Sequence, residues 1–345
     1  MRHTLLGSTG LRVSSVALGA GTFGAGAALG SDEAASRAVF DYYVERGGSF
    51  IDTANSYSGG VSEEMVGRFI AGRRERFVIA TKYSNPVDDT NINSGGNGRK
   101  ALMRSLEASL RRLGTDYVDL YWAHLWDGLT PIDELLRAFD DVVRQGKVLH
   151  IGLSNFPAWL VARGDALAEA ARWTRPAALQ IEYNLVQRDA ERELLPMAEQ
   201  LGMGILAWAP LAGGALTGKY LEQGQKGRLS GAAFGTYGQY QNERTNEIAR
   251  AVVEGARELG CAPGTLAIAW LSARSPRMVP ILGARTVEQL APTLEGVTLE
   301  VPPGLLRRLD EVSAPDLGYP HTFLGGNSQI LAKLQANLDP RLRRR

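Results

Sequence analysis

Tyr117-Val118-Asp119-Leu120-Tyr121-Trp122, a helical period over residues 131–145, and Val148-Leu149-His150-Ile151-Gly152-Leu153 read as one strand–helix–strand unit. Both strands are nearly continuous apolar runs, as expected of parallel strands covered on two faces. The helix between them opens with Pro131 in its first turn, where a missing N–H costs nothing.

The same alternation extends in both directions. Upstream lies a hairpin (4–6, a Gly7-Ser8-Thr9-Gly10 turn, then 11–13), followed by a strand at 15–18 and a helix at 32–46 with Ser31 as its cap. A strand at 49–52, a helix at 62–71, a strand at 77–81 and a helix at 100–113 complete that half. The Ser62-Glu63-Glu64 start of the second helix suits the positive end of a helix dipole. Downstream come a helix at 158–172, a strand at 178–181, a helix at 191–201 and a strand at 204–208. A glycine-rich stretch at 211–241 leads to helices at 243–259 and 265–272, a strand at 278–281 and a helix from Thr286. No Pro/Ser-rich linker interrupts the series. Eight βα units in roughly 300 residues predict an α/β fold of the (β/α)8 TIM-barrel type with an N-terminal hairpin, not a doubly wound sheet. The barrel is expected over 1–324, with 325–345 as a C-terminal tail. Long loops at 85–98 and 211–241 follow strands three and seven. Both therefore belong to the C-terminal face, where such barrels gather catalytic groups, and each is expected to cover a site.

Composition narrows the class. The 345 residues are 44% hydrophobic and 22% charged, with 38 Lys+Arg against 37 Asp+Glu. A net charge of +1 gives no electrostatic case for nucleic acid or for an acidic membrane, and the basic Arg341–Arg345 end reads as solvated. One cysteine, Cys261, excludes an intramolecular disulfide and any multi-thiolate metal site. No membrane-length apolar window and no leader-like start are present, so a cytoplasmic protein without metal is expected.

Gly19-Ala20-Gly21-Thr22-Phe23-Gly24 matches the dinucleotide fingerprint G-x-G-x-x-G after a strand. A Rossmann helix would begin inside the run, yet the chain stays loop-like to Ser31. The acid, Asp52, also lies farther on than the roughly 20 residues of that motif. The run is better read as a first loop that lets backbone approach a ligand.

Four polar groups fall at or just past strand ends: Asp52, Lys82 and His124, with Tyr57 in the loop after the second strand. A phenol has an ordinary pKa of about 10, so a tyrosine that protonates a developing alkoxide near neutrality needs a neighbouring ammonium, worth roughly 4 kcal/mol of differential interaction. Lys82 is the candidate, Asp52 its counter-ion, and His124 can hydrogen-bond the substrate oxygen or share the proton with Tyr57. Such a set suits addition to a carbonyl with protonation of its oxygen. It lacks a hydride, which a cofactor must bring.

With these residues in place, the chain resembles the aldo-keto reductase family from Thr4 to about Leu324. The likeness is carried by Phe50-Ile51-Asp52-Thr53-Ala54-Asn55-Ser56-Tyr57, Thr81-Lys82, Asp119-Leu120-Tyr121-Trp122-Ala123-His124, Gly152-Leu153-Ser154-Asn155-Phe156, Gln180-Ile181-Glu182-Tyr183-Asn184 and Pro280-Ile281-Leu282-Gly283-Ala284-Arg285. The resemblance implies reversible, metal-free carbonyl reduction with NADPH (NADP+). Tyr57 is then the general acid, Lys82 and Asp52 its tuning pair, and His124 the orienting group. It further implies that Ser154, Asn155 and Gln180 hold the nicotinamide carboxamide and that Trp208 stacks on its ring. Gly21, Thr22 and Phe23 line the first loop, while Ala209, Leu211, Gly213, Leu216 and Lys219 wrap the pyrophosphate. Gly283, Arg285 and Gln289 meet the adenosine 2′-phosphate, and Thr293 the adenine. Ala209 replaces a serine common in the family, and Thr293 an asparagine.

Substrate contacts are expected from Tyr57 and His124, and from an aromatic wall of Tyr83, Trp122, Trp126 and Phe23. Asn91, Asn93 and Asn97 would suit polyhydroxylated ligands. The expected partner is a small carbonyl compound, with no nucleic acid and no membrane. A second reading of the resemblance is a cofactor-loaded regulatory subunit with little turnover, as in channel β-subunits, which predicts a stable partner surface.

Overall fold

The computed structural model describes residues 1–24, 30–221 and 238–335. A hairpin of β1 (His3–Leu5) and β2 (Arg12–Ser14) leads into eight parallel strands. These are β3 (Ala17–Gly19), β4 (Phe50–Asp52), β5 (Val78–Tyr83), β6 (Val118–Ala123), β7 (Val148–Ser154), β8 (Ala178–Glu182), β9 (Gly204–Trp208) and β10 (Met278–Leu282). They pair in chain order and close, β10 on β3, into a barrel. Around it run α1 (Glu33–Glu45), α2 (Val61–Ile70), α3 (Arg99–Leu113), α4 (Ile132–Arg144), α5 (Ala158–Ala171), α6 (Leu194–Gln200), α7 (Glu243–Leu259), α8 (Pro263–Ser272), α9 (Val287–Gly296) and α10 (Pro303–Val312). The fold is thus the expected (β/α)8 barrel with an N-terminal hairpin.

Strand alternation divides the apolar residues into two layers. Along β5, Val78 and Ala80 join Phe50, Leu120, Trp122 and Leu206 inside the barrel. Ile79 and Tyr83 point the other way, into the larger core between strands and helices. The hairpin closes the N-terminal end of the barrel by burying Leu6 and Val13 in the inner layer. Its turn demands glycine: Gly7 has φ +56°, and a Cβ there would stand 2.5 Å from the carbonyl oxygen of Gly202.

Some element ends differ from the sequence reading. Asp32, not Ser31, caps α1, its carboxylate accepting from the N–H of Ala35 at 2.8 Å. Ser31 instead donates to the carbonyl of Thr22 at 3.0 Å, which ties Ser31 to the glycine-rich stretch that follows β3. Helix α6 starts at Leu194 rather than Glu191. Pro196 explains this: it lies in the first turn of the shorter helix, where its missing N–H has no partner to lose. Two short helices, α11 (His321–Gly326) and α12 (Ser328–Gln335), follow α10 into the segment read as a tail, of which 336–345 lie outside the described residues. Residues 222–237 of the long loop at 211–241 also lie outside them.

Candidate active site

Parallel register sets the site. Asp52 pairs with Ala80, Lys82 with Trp122, and Ser154 with Gln180, so inward-pointing residues near the strand ends reach one level. Lys82 is fully buried and its ammonium is fully used. It donates to the Asp52 carboxylate, to the carbonyl of Thr53 at 2.8 Å and to the Tyr57 hydroxyl at 3.2 Å. Burial works against that charge, but Asp52 and then Tyr57 outweigh it, and the Lys82 pKa stands above the ordinary lysine value. The second oxygen of Asp52 accepts from the Gln180 amide at 3.0 Å. A buried charge pair with its remaining valences filled in this way is held in one geometry.

Tyr57 opens the short turn Tyr57–Gly60 and is half-buried, its ring edge-on to His124 with centroids 5.9 Å apart. Gly21 of the first loop lies against it: a Cβ there would be 3.5 Å from the Tyr57 ring. His124 follows β6 directly, and its backbone N–H donates to the carbonyl of Tyr83 at 2.9 Å. Burial, and then the Lys82 charge, push its pKa down to about 3, so the ring is neutral at ordinary pH. All four groups picked out from the sequence therefore meet at one rim. Among the described residues no cluster of His, Cys, Asp and Glu could hold a metal ion.

Residues 15–314 match the model of the aldo/keto reductase family. The chain belongs to that family. It is 38% identical over 325 residues to an uncharacterized oxidoreductase, YrpG, of Bacillus subtilis, covering 90% of this chain and 96% of the relative. It is 34% identical over 333 residues to a norsolorinic acid reductase of Aspergillus flavus (93% and 84%). An aryl-alcohol dehydrogenase, GME11368, of Pestalotiopsis microspora is 33% identical over 350 residues (98% and 88%). This aldo-keto reductase is accordingly an NAD(P)H-dependent oxidoreductase.

Around the reductase's polar cluster lie donors and surfaces suited to a nicotinamide dinucleotide. Ser154 is buried at the end of β7, and Gln180 keeps its amide oxygen for a further partner while its nitrogen serves Asp52. Trp208, at the end of β9, is half-buried and fixed by its indole N–H on Asn155 at 3.2 Å. Asn155 itself differs from the expectation. Its amide nitrogen donates to the His124 carbonyl at 2.9 Å and to the Ser154 hydroxyl at 3.1 Å, so it acts as a brace between strands. Ala209, Ala212, Gly213, Gly214 and Gly218 all have positive φ, a turn-rich backbone of the kind that gathers N–H groups around anions. Lys219 stands over it, with Nζ 3.1 Å from where a Gly214 Cβ would be. Leu211 is partly buried and Leu216 fully so, both packed in the outer core. Gly283 and Arg285 are exposed, and the Gln289 side chain accepts the Arg285 backbone N–H at 3.0 Å.

Several expected contacts are corrected. Phe23 is buried on Phe69, at 6.0 Å between ring centroids, so its ring lines no pocket. Thr22 is buried too and spends its hydroxyl on the carbonyl of Ala284 at 2.8 Å. Thr293 turns its hydroxyl hydrogen to the carbonyl of Leu290 at 2.7 Å, which leaves its oxygen only as an acceptor toward adenine. Tyr83 faces outward and stacks on Tyr121 at 5.2 Å, because an odd step from Lys82 reverses its side chain. Trp122 points inward but is wholly buried; a Cβ on Gly152 would be 2.3 Å from its ring. Of the expected wall only Trp126 reaches the surface, edge-on to Trp159 at 6.2 Å. Asn97 is also structural, its amide spent on Ser84, Leu125 and Asp127, and Asn91 caps its own turn through Asn93.

Two neighbours of the candidate site escaped the sequence reading. Asn85 reaches His124 from the start of the loop after β5, where position alone gave no signal. Tyr240 donates to Glu182 at the end of β8, closing the far end of the glycine-rich stretch onto the rim. Glu182 was visible inside its motif, but its partner lies in a distant loop. Burial raises its carboxyl above the ordinary range.

Proposed function

We propose that this chain reduces an aldehyde or ketone to the alcohol using NADPH. The observation that carries the reading is the fully buried Lys82 ammonium donating to the Tyr57 hydroxyl while anchored on Asp52. A cation bonded to a phenol oxygen stabilises the charge that the oxygen acquires on losing its proton, which is what a general acid requires. A nicotinamide, when bound, supplies the hydride. Tyr57 gives its proton to the oxygen as the carbonyl π electrons collect there, and His124 orients that oxygen.

Ser154 and the free oxygen of Gln180 would hold the carboxamide, and Trp208 would cover the ring face. The positive-φ turns at Ala212, Gly213 and Gly214 with Lys219 would take the pyrophosphate. An exposed guanidinium at Arg285 favours a 2′-phosphate. An aryl carbonyl is the substrate class best supported, by the exposed Trp126–Trp159 pair beside the rim and by relatives named aryl-alcohol dehydrogenase. The test is NADPH oxidation followed by absorbance over a panel of aryl and sugar-like aldehydes and ketones. Turnover no greater than that of Tyr57→Phe across the panel would overturn the reading.

A further inference from the structure

Strand β5 ends abruptly after Tyr83. Ser84 takes φ +107°, a conformation that L side chains rarely adopt and that persists only where neighbours impose it. Three bonds impose it here. The Ser84 hydroxyl accepts from the His124 backbone N–H at 3.1 Å and from the Asn97 amide at 2.9 Å, and its carbonyl accepts from Gly96 N–H at 2.7 Å. The strained turn sets Asn85 beside the imidazole. The Asn85 amide nitrogen lies 3.2 Å from the Ser56 hydroxyl and 3.3 Å from Nδ1 of His124. An amide NH2 carries two hydrogens: one goes to the Ser56 oxygen, and a bare Nδ1 of His124 is the acceptor in reach of the other.

We infer that Asn85 is a positioning residue that fixes His124 as the Nε2–H tautomer, so that the imidazole donates a hydrogen bond to the substrate's carbonyl oxygen. A neutral imidazole has one donor and one acceptor nitrogen, and the bond at one decides the proton's place on the other. With Nδ1 accepting from Asn85, Nε2 carries the hydrogen. The opposite tautomer would turn a lone pair on the carbonyl oxygen. The ring holds no second proton at neutral pH, since burial and the nearby Lys82 charge disfavour it. His124 therefore polarises the carbonyl and keeps its proton, leaving proton transfer to Tyr57 alone. The role of the Nε2–H toward substrate rests on the reductase reading; the tautomer does not.

The test is nitrogen-resolved NMR of the full chain with labelled histidine, the His124 signal being assigned by its loss in His124→Asn. The wild-type ring is expected to be protonated at Nε2 and bare at Nδ1 across the neutral range. Asn85→Asp, which can only accept, should draw a proton onto Nδ1. Asn85→Leu should give a mixture of tautomers. In Asn85→Leu kcat should fall about tenfold, less than the hundredfold or more for outright loss of an oxyanion donor, because part of the population still donates. Its NADPH affinity should stay unchanged. A wild-type ring protonated at Nδ1, or an Asn85→Leu spectrum identical to wild type, overturns the assignment. The wild-type spectrum decides even if a variant misfolds. No turnover with the Nε2–H tautomer present would remove the reductase reading and leave the Asn85 assignment standing.

Discussion

The indole N–H of Trp208 donates to the side-chain oxygen of Asn155 at 3.2 Å. The same amide donates to the backbone carbonyl of His124 at 2.9 Å, so one side chain joins the expected nicotinamide platform to the imidazole proposed to orient the substrate oxygen. Asn155 can do this because its backbone is left-handed, φ +57°.

Substitution separates the two contributions. Asn155→Gly keeps the backbone relaxed and deletes the amide. NADPH should then bind about fivefold more weakly, the worth of a hydrogen bond of about 1 kcal/mol. Asn155→Ala should show the same binding defect and be about 1–2 kcal/mol less stable than Asn155→Gly, because alanine resists the left-handed conformation. Fluorescence titration and urea unfolding read the two effects. Equal stability of the variants would mean that the backbone strain is not real.

Removal of one member of the buried pair should be costly in a different way. Lys82→Met leaves the Asp52 carboxylate buried with only Gln180 as its side-chain partner, and breaking such a pair typically costs about 3–5 kcal/mol. Adding Asp52→Asn to Lys82→Met should recover part of that loss while activity stays absent. Denaturant melts of the two variants measure the recovery. A double variant no more stable than Lys82→Met would show that the uncompensated charge is not the cause.

The barrel was legible because each strand and helix carries its own apolar period, and that period is local. The acid cluster was legible for a related reason: Asp52, Lys82 and His124 share strand ends, so topology alone brings them to one level. Facing was harder. Tyr83 and Trp122 stand beside candidate catalytic positions in sequence, yet one side chain faces the helices and the other is sealed inside the barrel. Asn85 was hidden because its direction depends on a strained φ at Ser84 and on bonds from His124 and Asn97, none of which a linear pattern records. Tyr240 meets Glu182 across 58 positions, a separation that no local pattern spans.

The neutral His124 links the site to acid stability. Its pKa is about 3 in the folded chain, against the ordinary 6.5. Below 6.5 the unfolded chain therefore binds a proton that the folded chain refuses, and stability falls with pH until about 3. The slope from this group alone approaches, at most, about 1.4 kcal/mol per pH unit. His124→Gln lacks it, so the stability difference between wild type and variant should shrink or reverse as pH falls from 6.5 toward 4. Parallel urea melts check this. A difference that stays constant with pH would mean that the imidazole titrates normally.

Arg285 offers the sharpest separation of cofactors. It is exposed beside the start of α9, its backbone N–H already engaged by Gln289, and among the described residues its guanidinium makes no ion pair. A free guanidinium pairs with a phosphate through charge-assisted bonds worth about 1.5–3 kcal/mol, while a ribose hydroxyl offers it much less. Arg285→Ala should therefore weaken NADPH by roughly 10- to 100-fold and NADH by little. Its stability should match wild type, since an exposed side chain without partners contributes little to folding. KM values for both cofactors, measured on one aldehyde, give the ratio. Equal losses would place the 2′-phosphate elsewhere, and raised salt should erase most of the wild-type preference if the contact is as exposed as the arginine.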